Sequence, residues 1–215
     1  MNDSPHRGDD RVPGGQYVTD KWPVLTYGPT PNVDAGSTEL RIFGEVESEL
    51  VLGPHELSAL PRTDVVADFH CVTRFSTLDN AWSGFSTRDL LTLVRVRPEA
   101  SHVMLHCYGG YTTNLPLEDF LSEHSLLADR HAGSPLETNH GGPLRAVVPH
   151  LYAWKSAKWV KGIELLDGDR RGFWEENGYH TYGDPWTEER FSSQETEAAW
   201  QVRRRAKDLG IVPSE

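Results

Sequence analysis

Cys71 is one of two cysteines in 215 residues, and it stands between a histidine and an arginine in Asp68-Phe-His-Cys-Val-Thr-Arg-Phe-Ser76. A cationic neighbour favours the thiolate, the form that attacks electrophiles or ligates soft metals. His70 and Arg74 are the sequence neighbours that could supply it. The stretch also suits a buried inert thiol, because free cysteine packs as a small hydrophobe and here follows Val65-Val-Ala67. A second set lies in His140-Gly-Gly-Pro-Leu-Arg145 and Tyr152-Ala-Trp-Lys-Ser-Ala-Lys-Trp159. Its glycines permit close backbone approach. The Arg145 fork, the Ser156 hydroxyl and the Lys158 ammonium together suit a phosphate or carboxylate. On its own that set also reads as a Gly-Pro turn with solvated basic residues. Interleaved aromatics, and a lack of acidic neighbours in an acidic chain, favour the anion cradle.

Other chemistry-bearing residues receive plainer readings. On a strand, His102 and His106 share one face and Cys107 the other, which argues against a zinc site and places Cys107 in the core. Trp154, Trp159, Trp174 and Trp186 are expected to pack first and to stack a substrate second. Tyr108 and Tyr111 are candidates for a substrate-facing surface. Glu175 and Glu176 are expected to be solvated charges.

These residues need elements to position them. Residues 65–70 form a strand that delivers Cys71 at its end. Leu40-Arg-Ile-Phe-Gly-Glu-Val46 is a strand with Gly44 at a bulge or turn. Residues 103–108, 144–148 and 162–166 read as further strands. A helix begins after Ser86, with Asp89 three residues on. Short helical turns are expected around residues 55–60 and 116–121. Residues 21–31 are extended and Pro-punctuated, and residues 131–142 form a Gly- and Pro-rich loop. The longest helix is expected over 192–209, with Ser192 and Glu195 as capping box and Gly210 as stop. The division is a polar tail over 1–16, disordered or loosely docked, one α+β domain over 17–191 and a C-terminal helix over 192–215.

Acidic residues outnumber basic ones, 32 to 21, for a net charge of −11. That balance argues against a nucleic-acid or anionic-membrane binder, either of which needs a basic field. No apolar run reaches the roughly 18 residues of a membrane span. The first residues show neither an apolar export region nor paired arginines. Two cysteines suit a reducing compartment, so a cytoplasmic location is expected.

Several motifs together resemble the sulfite oxidase superfamily of molybdopterin enzymes. They are Phe69-His-Cys-Val-Thr-Arg-Phe-Ser, Trp82-Ser-Gly, Tyr111-Thr-Thr-Asn-Leu-Pro-Leu-Glu-Asp, His140-Gly-Gly-Pro-Leu-Arg with Lys155-Ser-Ala-Lys-Trp, and Gly172-Phe-Trp-Glu-Glu-Asn-Gly-Tyr-His with Gly183-Asp-Pro-Trp. The resemblance spans residues 20–191 and is strongest to small bacterial members. It implies a single α+β domain of mixed sheets and long loops, built around one molybdenum–molybdopterin cofactor. It implies Cys71 as the metal ligand, in line with the affinity of such centres for soft sulfur. It further implies Arg145, Ser156 and Lys158 on the pterin phosphate, with His140 and His106 beside the cofactor. Arg74 is a candidate for drawing in an oxyanion.

The exported methionine sulfoxide reductases of this superfamily carry an acidic residue two positions after the cysteine, where this chain has Thr73. Sulfite-oxidising members follow the cysteine with a different pattern from Val-Thr-Arg. Substrate and redox direction therefore stay open for what is expected to be a small molecule. No haem-attachment, iron–sulfur or dinucleotide motif is present, so a separate electron-transfer partner is expected. Two alternatives remain: a cysteine-nucleophile hydrolase or thiol reductase using Cys71 with His70, and a binding module without turnover.

Overall fold

The computed structural model describes residues 11–196. Its strands are β1 (Tyr17–Val18), β2 (Leu40–Gly44), β3 (Leu50–Leu52), β4 (Thr63–His70), β5 (Phe75–Ser86), β6 (His102–Cys107), β7 (Thr112–Pro116), β8 (Leu126–His131), β9 (Ser134–Pro135), β10 (Arg145–Val147) and β11 (Val160–Leu166). Four short helices connect them: α1 (Pro54–Ser58), α2 (Thr87–Thr92), α3 (Leu117–Phe120) and α4 (Phe173–Glu176). The strands make two mixed sheets. In one, β5 is paired with β1, β4 and β8, and β8 in turn with β9 and β10; in the other the order is β3-β2-β11-β6-β7. This is the α+β class expected. No helix among the described residues is long and apolar enough to cross a membrane.

Side-chain alternation explains the five-stranded sheet. In β2, Leu40 and Ile42 are fully buried while Arg41 is exposed. Gly44 ends the strand at φ +90°, and a Cβ there would lie 2.2 Å from the Leu165 carbonyl oxygen, so glycine is required. The larger core draws Leu40, Ile42, Leu105 and Ile163 from this sheet and Phe85, Leu127 and Ala146 from the other. A smaller core of Val65, Phe69, Phe75, Trp82, Leu126, Ala128 and Val147 encloses Cys71. Cys107 is buried in the larger core, as expected.

Several elements depart from expectation. The twelve-residue β5 reads Phe-Ser-Thr-Leu-Asp-Asn-Ala-Trp-Ser-Gly-Phe-Ser and lacks the β-branched aliphatics that mark a strand. Pairing with β4 on one side and β8 on the other holds it extended regardless. Residues 131–142 are not plain loop: they contain β9 and a 3-10 turn at Thr138–His140. Of the two states expected for the tail, residues 11–16 take the docked one: Arg11 bridges Asp68 and Asp79, and Gln16 donates to the Cys71 carbonyl. Residues 1–10 of that tail lie outside the described residues. Ser192 does not cap an α-helix: Ser192–Gln194 is a 3-10 turn, and Glu195 instead accepts the Thr181 N–H and pairs with Arg171. The remainder of the expected C-terminal helix, 197–215, lies outside the described residues.

Candidate functional site

β4 ends at His70, and the chain reverses through residues 71–74 into β5, with the Cys71 N–H donating to the Phe75 carbonyl at 2.9 Å. The turn leaves Cys71 7% exposed at the wall of a cavity of about 310 Å³. Its sulfur accepts a hydrogen bond from the Thr73 hydroxyl at 3.2 Å. Burial raises the pKa of the thiol, and the Thr73 contact and the Arg190 guanidinium oppose that rise. The cations whose charge reaches Cys71 are Arg190, which also donates to the Val72 carbonyl, and Lys158.

Neither sequence neighbour fills that role. Arg74 is exposed at φ +81°, with its guanidinium beside Gly15 and outside the cavity lining. The His70 ring faces Ser76 Oγ at 2.9 Å, and burial lowers its pKa. Among the described residues no hydrogen bond joins His70 to Cys71, as the nucleophile alternative needs: the His70 ring meets Ser76 Oγ and the Cys71 sulfur accepts from Thr73.

Arg145, His140, Ser156 and Lys158 line the same cavity. Gly141 makes their approach possible, since a Cβ there would lie 3.0 Å from that of Arg145 and 3.1 Å from that of Lys158. Arg145 is 2% exposed and donates to the carbonyls of His140 (2.8 Å) and Ser156 (3.0 Å). The rings of Trp22, Phe69 and Trp82 surround its guanidinium at 5.3–5.5 Å. Among the described residues no carboxylate pairs with it, and desolvation alone pulls its pKa down to about 9. Burial, with Arg145 as a like charge, pulls Lys158 down to about 8. The Ser156 hydroxyl accepts the Val148 N–H at 2.9 Å and keeps its own proton to give. His140 Nδ1 is buried without a protein partner. Two desolvated cations and an unsatisfied imidazole around one space are costly unless an anion enters it.

His106 is not part of this group. On β6 it lies on the opposite face from Cys107 and pairs with Glu164 at 2.7 Å, away from the cavity lining. Tyr108 likewise faces Lys161 and not the cavity, whereas Tyr111 lines it and donates to the Trp154 carbonyl at 2.6 Å.

Sequence reasoning missed three features. Glu175 is 1% exposed, not solvated, and its Oε1 receives Lys155 Nζ (2.6 Å), Trp154 Nε1 (2.9 Å) and the Thr113 hydroxyl (3.2 Å). Burial lowers the Lys155 pKa, and Glu175 opposes the shift. The indole of Trp22, from the extended segment, stacks on His140 at 3.8 Å. Tyr27, Phe173, Trp174, Tyr179 and Trp154 form a continuous aromatic wall, with neighbouring ring centres 4.7–5.2 Å apart. Only the clustering of aromatics after residue 152 hinted at that wall.

The donor set fits a phosphate-bearing cofactor with a thiophilic metal: one buried thiol and an unpaired cationic cradle share a single cavity. Comparison with known proteins agrees. Residues 27–174 match the family model of the oxidoreductase molybdopterin binding domain. The chain is 48% identical over 183 residues to an uncharacterized oxidoreductase, YuiH, of Bacillus subtilis, covering 85% of this chain and 92% of that protein. It is 26% identical to the sulfite oxidase of Arabidopsis thaliana, over 77% of this chain and 52% of that protein. The crystal structure of the sulfane dehydrogenase SoxCD from Paracoccus pantotrophus shares the fold, with a TM-score of 0.59 at 23% identity, over 65% of this chain and 40% of that one. The chain thus spans about half the length of the sulfite oxidase it matches. On this ground it belongs to the oxidoreductase molybdopterin binding domain family within the sulfite oxidase superfamily, and is an oxidoreductase whose cofactor is molybdenum–molybdopterin.

Proposed function

We propose that this protein performs oxygen-atom transfer or coupled proton–electron transfer on a small substrate, with Cys71 as the protein's ligand to molybdenum. The observation that carries this reading is the shared cavity, with a buried thiol and a buried guanidinium that has no acidic partner. Arg145 and Lys158 would hold the cofactor's phosphate as charge-assisted donors, and Ser156 and His140 would add neutral contacts. The bound group supplies the two-electron redox couple. Around it, the Thr73 hydroxyl steadies the Cys71 sulfur in its thiolate form. The aromatic wall of Trp154, Phe173, Trp174 and Tyr179, with the exposed Tyr27 at its edge, offers an apolar surface to the substrate. The cationic lysine and arginine of the lining, Lys158 and Arg145, belong to the anchor. That leaves the wall without a clamp for an inorganic oxyanion and favours a neutral substrate.

Electrons cross the protein surface to or from a separate partner, since both cysteines are used as ligand and core residue and 215 residues carry no second redox motif. Free thiols fit a cytoplasmic setting. The test is metal and pterin analysis of the purified protein beside its Cys71→Ser variant. One molybdenum and one pterin per chain are expected in the parent, with loss of turnover and an altered metal spectrum in the variant. A fully active Cys71→Ser protein sinks the assignment.

A further inference from the structure

Trp186 neither packs in a core nor lines the cavity, and it is 52% exposed. The turn that carries it is built to present it. Asp184 Oδ1 accepts the Trp186 N–H at 2.8 Å, and the Asp184 carbonyl accepts the Glu189 N–H at 3.0 Å. An indole held out in water by its own backbone has the character of a contact residue, since tryptophan is enriched at the energetic centres of binding surfaces.

The buried ring that Trp186 touches is His70, met edge-on with centroids 6.0 Å apart. His70 is 4% exposed and fixed at both ends. Its Nδ1 meets Ser76 Oγ at 2.9 Å, and its carbonyl accepts the Ala153 N–H at 2.8 Å. One peptide bond joins it to Cys71. The next two carbonyls are held as well, that of Cys71 by Gln16 and that of Val72 by Arg190. A rigid path, covalent except for one ring contact, thus runs from the Cys71 sulfur to an exposed indole. Electrons tunnel far better along bonds than across gaps, so such a path matters most where a redox centre must be reached from the surface. Neither His70 nor Trp186 lines the cavity, so a protein seated on the indole need not cover the substrate's entrance.

Charge near the path has a sign. Asp68 and Asp79 share the single guanidinium of Arg11, and the charges of Asp68 and Arg11 reach the His70 ring. Two carboxylates against one cation leave that group negative, in a chain of net charge −11. A partner with a basic contact face suits it.

We infer that Trp186 is the docking point and electron port of this protein: a basic one-electron carrier protein, whose iron cycles between Fe3+ and Fe2+, seats on the indole and exchanges electrons with the metal through His70 and Cys71. This rests on the reading above of Cys71 as the molybdenum ligand and of a separate electron partner. Each turnover moves two electrons, one in each of two encounters with the carrier, and no bond is made or broken at the port.

The test uses the holoenzyme and, as probe, a basic c-type cytochrome. The metal is reduced with dithionite, the excess is removed, and reoxidation by ferric cytochrome is followed by stopped flow at rising salt. Trp186→Ala is expected to slow this reaction about tenfold. Trp186→Phe, which keeps a ring, is expected to recover most of the rate, and the parent rate is expected to fall with salt. Reoxidation by ferricyanide, a small ion that needs no protein docking, is expected to stay at the parental rate in both variants. A second readout needs no cofactor: carbodiimide cross-linking of the cofactor-free chain to the cytochrome, mapped by mass spectrometry, is expected at Asp79 and Glu188. A parental cytochrome rate in Trp186→Ala, cross-links confined to other faces, or a parent that ferricyanide reoxidises and the cytochrome does not, overturns the port and leaves the Cys71 reading standing. A parent protein without molybdenum overturns both.

Discussion

Lys155 Nζ lies 2.6 Å from Glu175 Oε1, and neither side chain reaches solvent. The two residues are twenty positions apart, and they join the segment that carries Ser156 and Lys158 to α4, which carries part of the aromatic wall. The Asn114 and Thr181 carbonyls and the Asn114 side chain complete the shell around the ammonium.

Removing the carboxylate should therefore be severe. Glu175→Ala strands a buried cation, and breaking such a pair costs about 3–5 kcal/mol. Glu175→Gln keeps an acceptor oxygen and should cost less. Urea unfolding of both variants checks the order, and a parental midpoint for Glu175→Ala would show that the pair adds nothing.

The anchor should be separable from the fold. Arg145→Met fills the space among Trp22, Phe69 and Trp82 but removes the fork. Lys158→Met does the same for the ammonium. Each should yield folded protein poor in pterin, with affinity lower by about 1.5–3 kcal/mol, roughly ten- to a hundred-fold. Normal pterin content in the double variant would place the anchor elsewhere.

Lys158 also sets a pH dependence, and its sign differs between stability and loading. Its pKa is about 8 in the cofactor-free fold against 10.5 as an ordinary lysine. Between those values the unfolded chain binds more protons, so this group makes the cofactor-free fold more stable as pH rises through the window. Loss of the charge over the same range weakens the hold on an anion. Pterin retention is thus expected to fall above about pH 8 while the Lys158 share of cofactor-free stability increases. Thermal melts and pterin release across pH 7–10.5, each compared with Lys158→Met, read the two trends.

The two cysteines should part company. Cys107 is 1% exposed in the larger core, and burial raises its thiol pKa. Cys107→Ser buries an unmatched hydroxyl and should destabilise by about 1–3 kcal/mol with metal content intact. Cys71→Ser should remove turnover. Loss of metal from Cys107→Ser alone would reverse the assignment.

The local sequence determined much of the frame. Alternation in Leu40-Arg-Ile-Phe made β2 readable, Ser86 with Asp89 marked the start of α2, and Val65 to His70 announced the strand that presents Cys71. Gly141 and Gly142 pointed to a close backbone approach, and the motifs around Cys71 and Arg145 carried the resemblance to a molybdopterin family. These signals are local: spacing, turn chemistry and side-chain periodicity act within a few residues.

Tertiary structure decided what depends on partners distant in the chain. β5 is a strand because β4 and β8 take up its backbone hydrogen bonds, whatever its own propensity. Glu175 turned from an expected surface charge into a buried one because Lys155 and Trp154 meet it there. His106 left the site because Glu164, two residues beyond its register partner Gly162 on β11, pairs with its ring, and Arg190 and Lys158, not Arg74, are the cations whose charge reaches Cys71. Trp22 joined the cavity through a stack on a histidine 118 positions away, a contact no local pattern encodes. Burial and charge pairing are properties of the assembled fold, so the residues whose roles they set could be read only once the chain had closed around them.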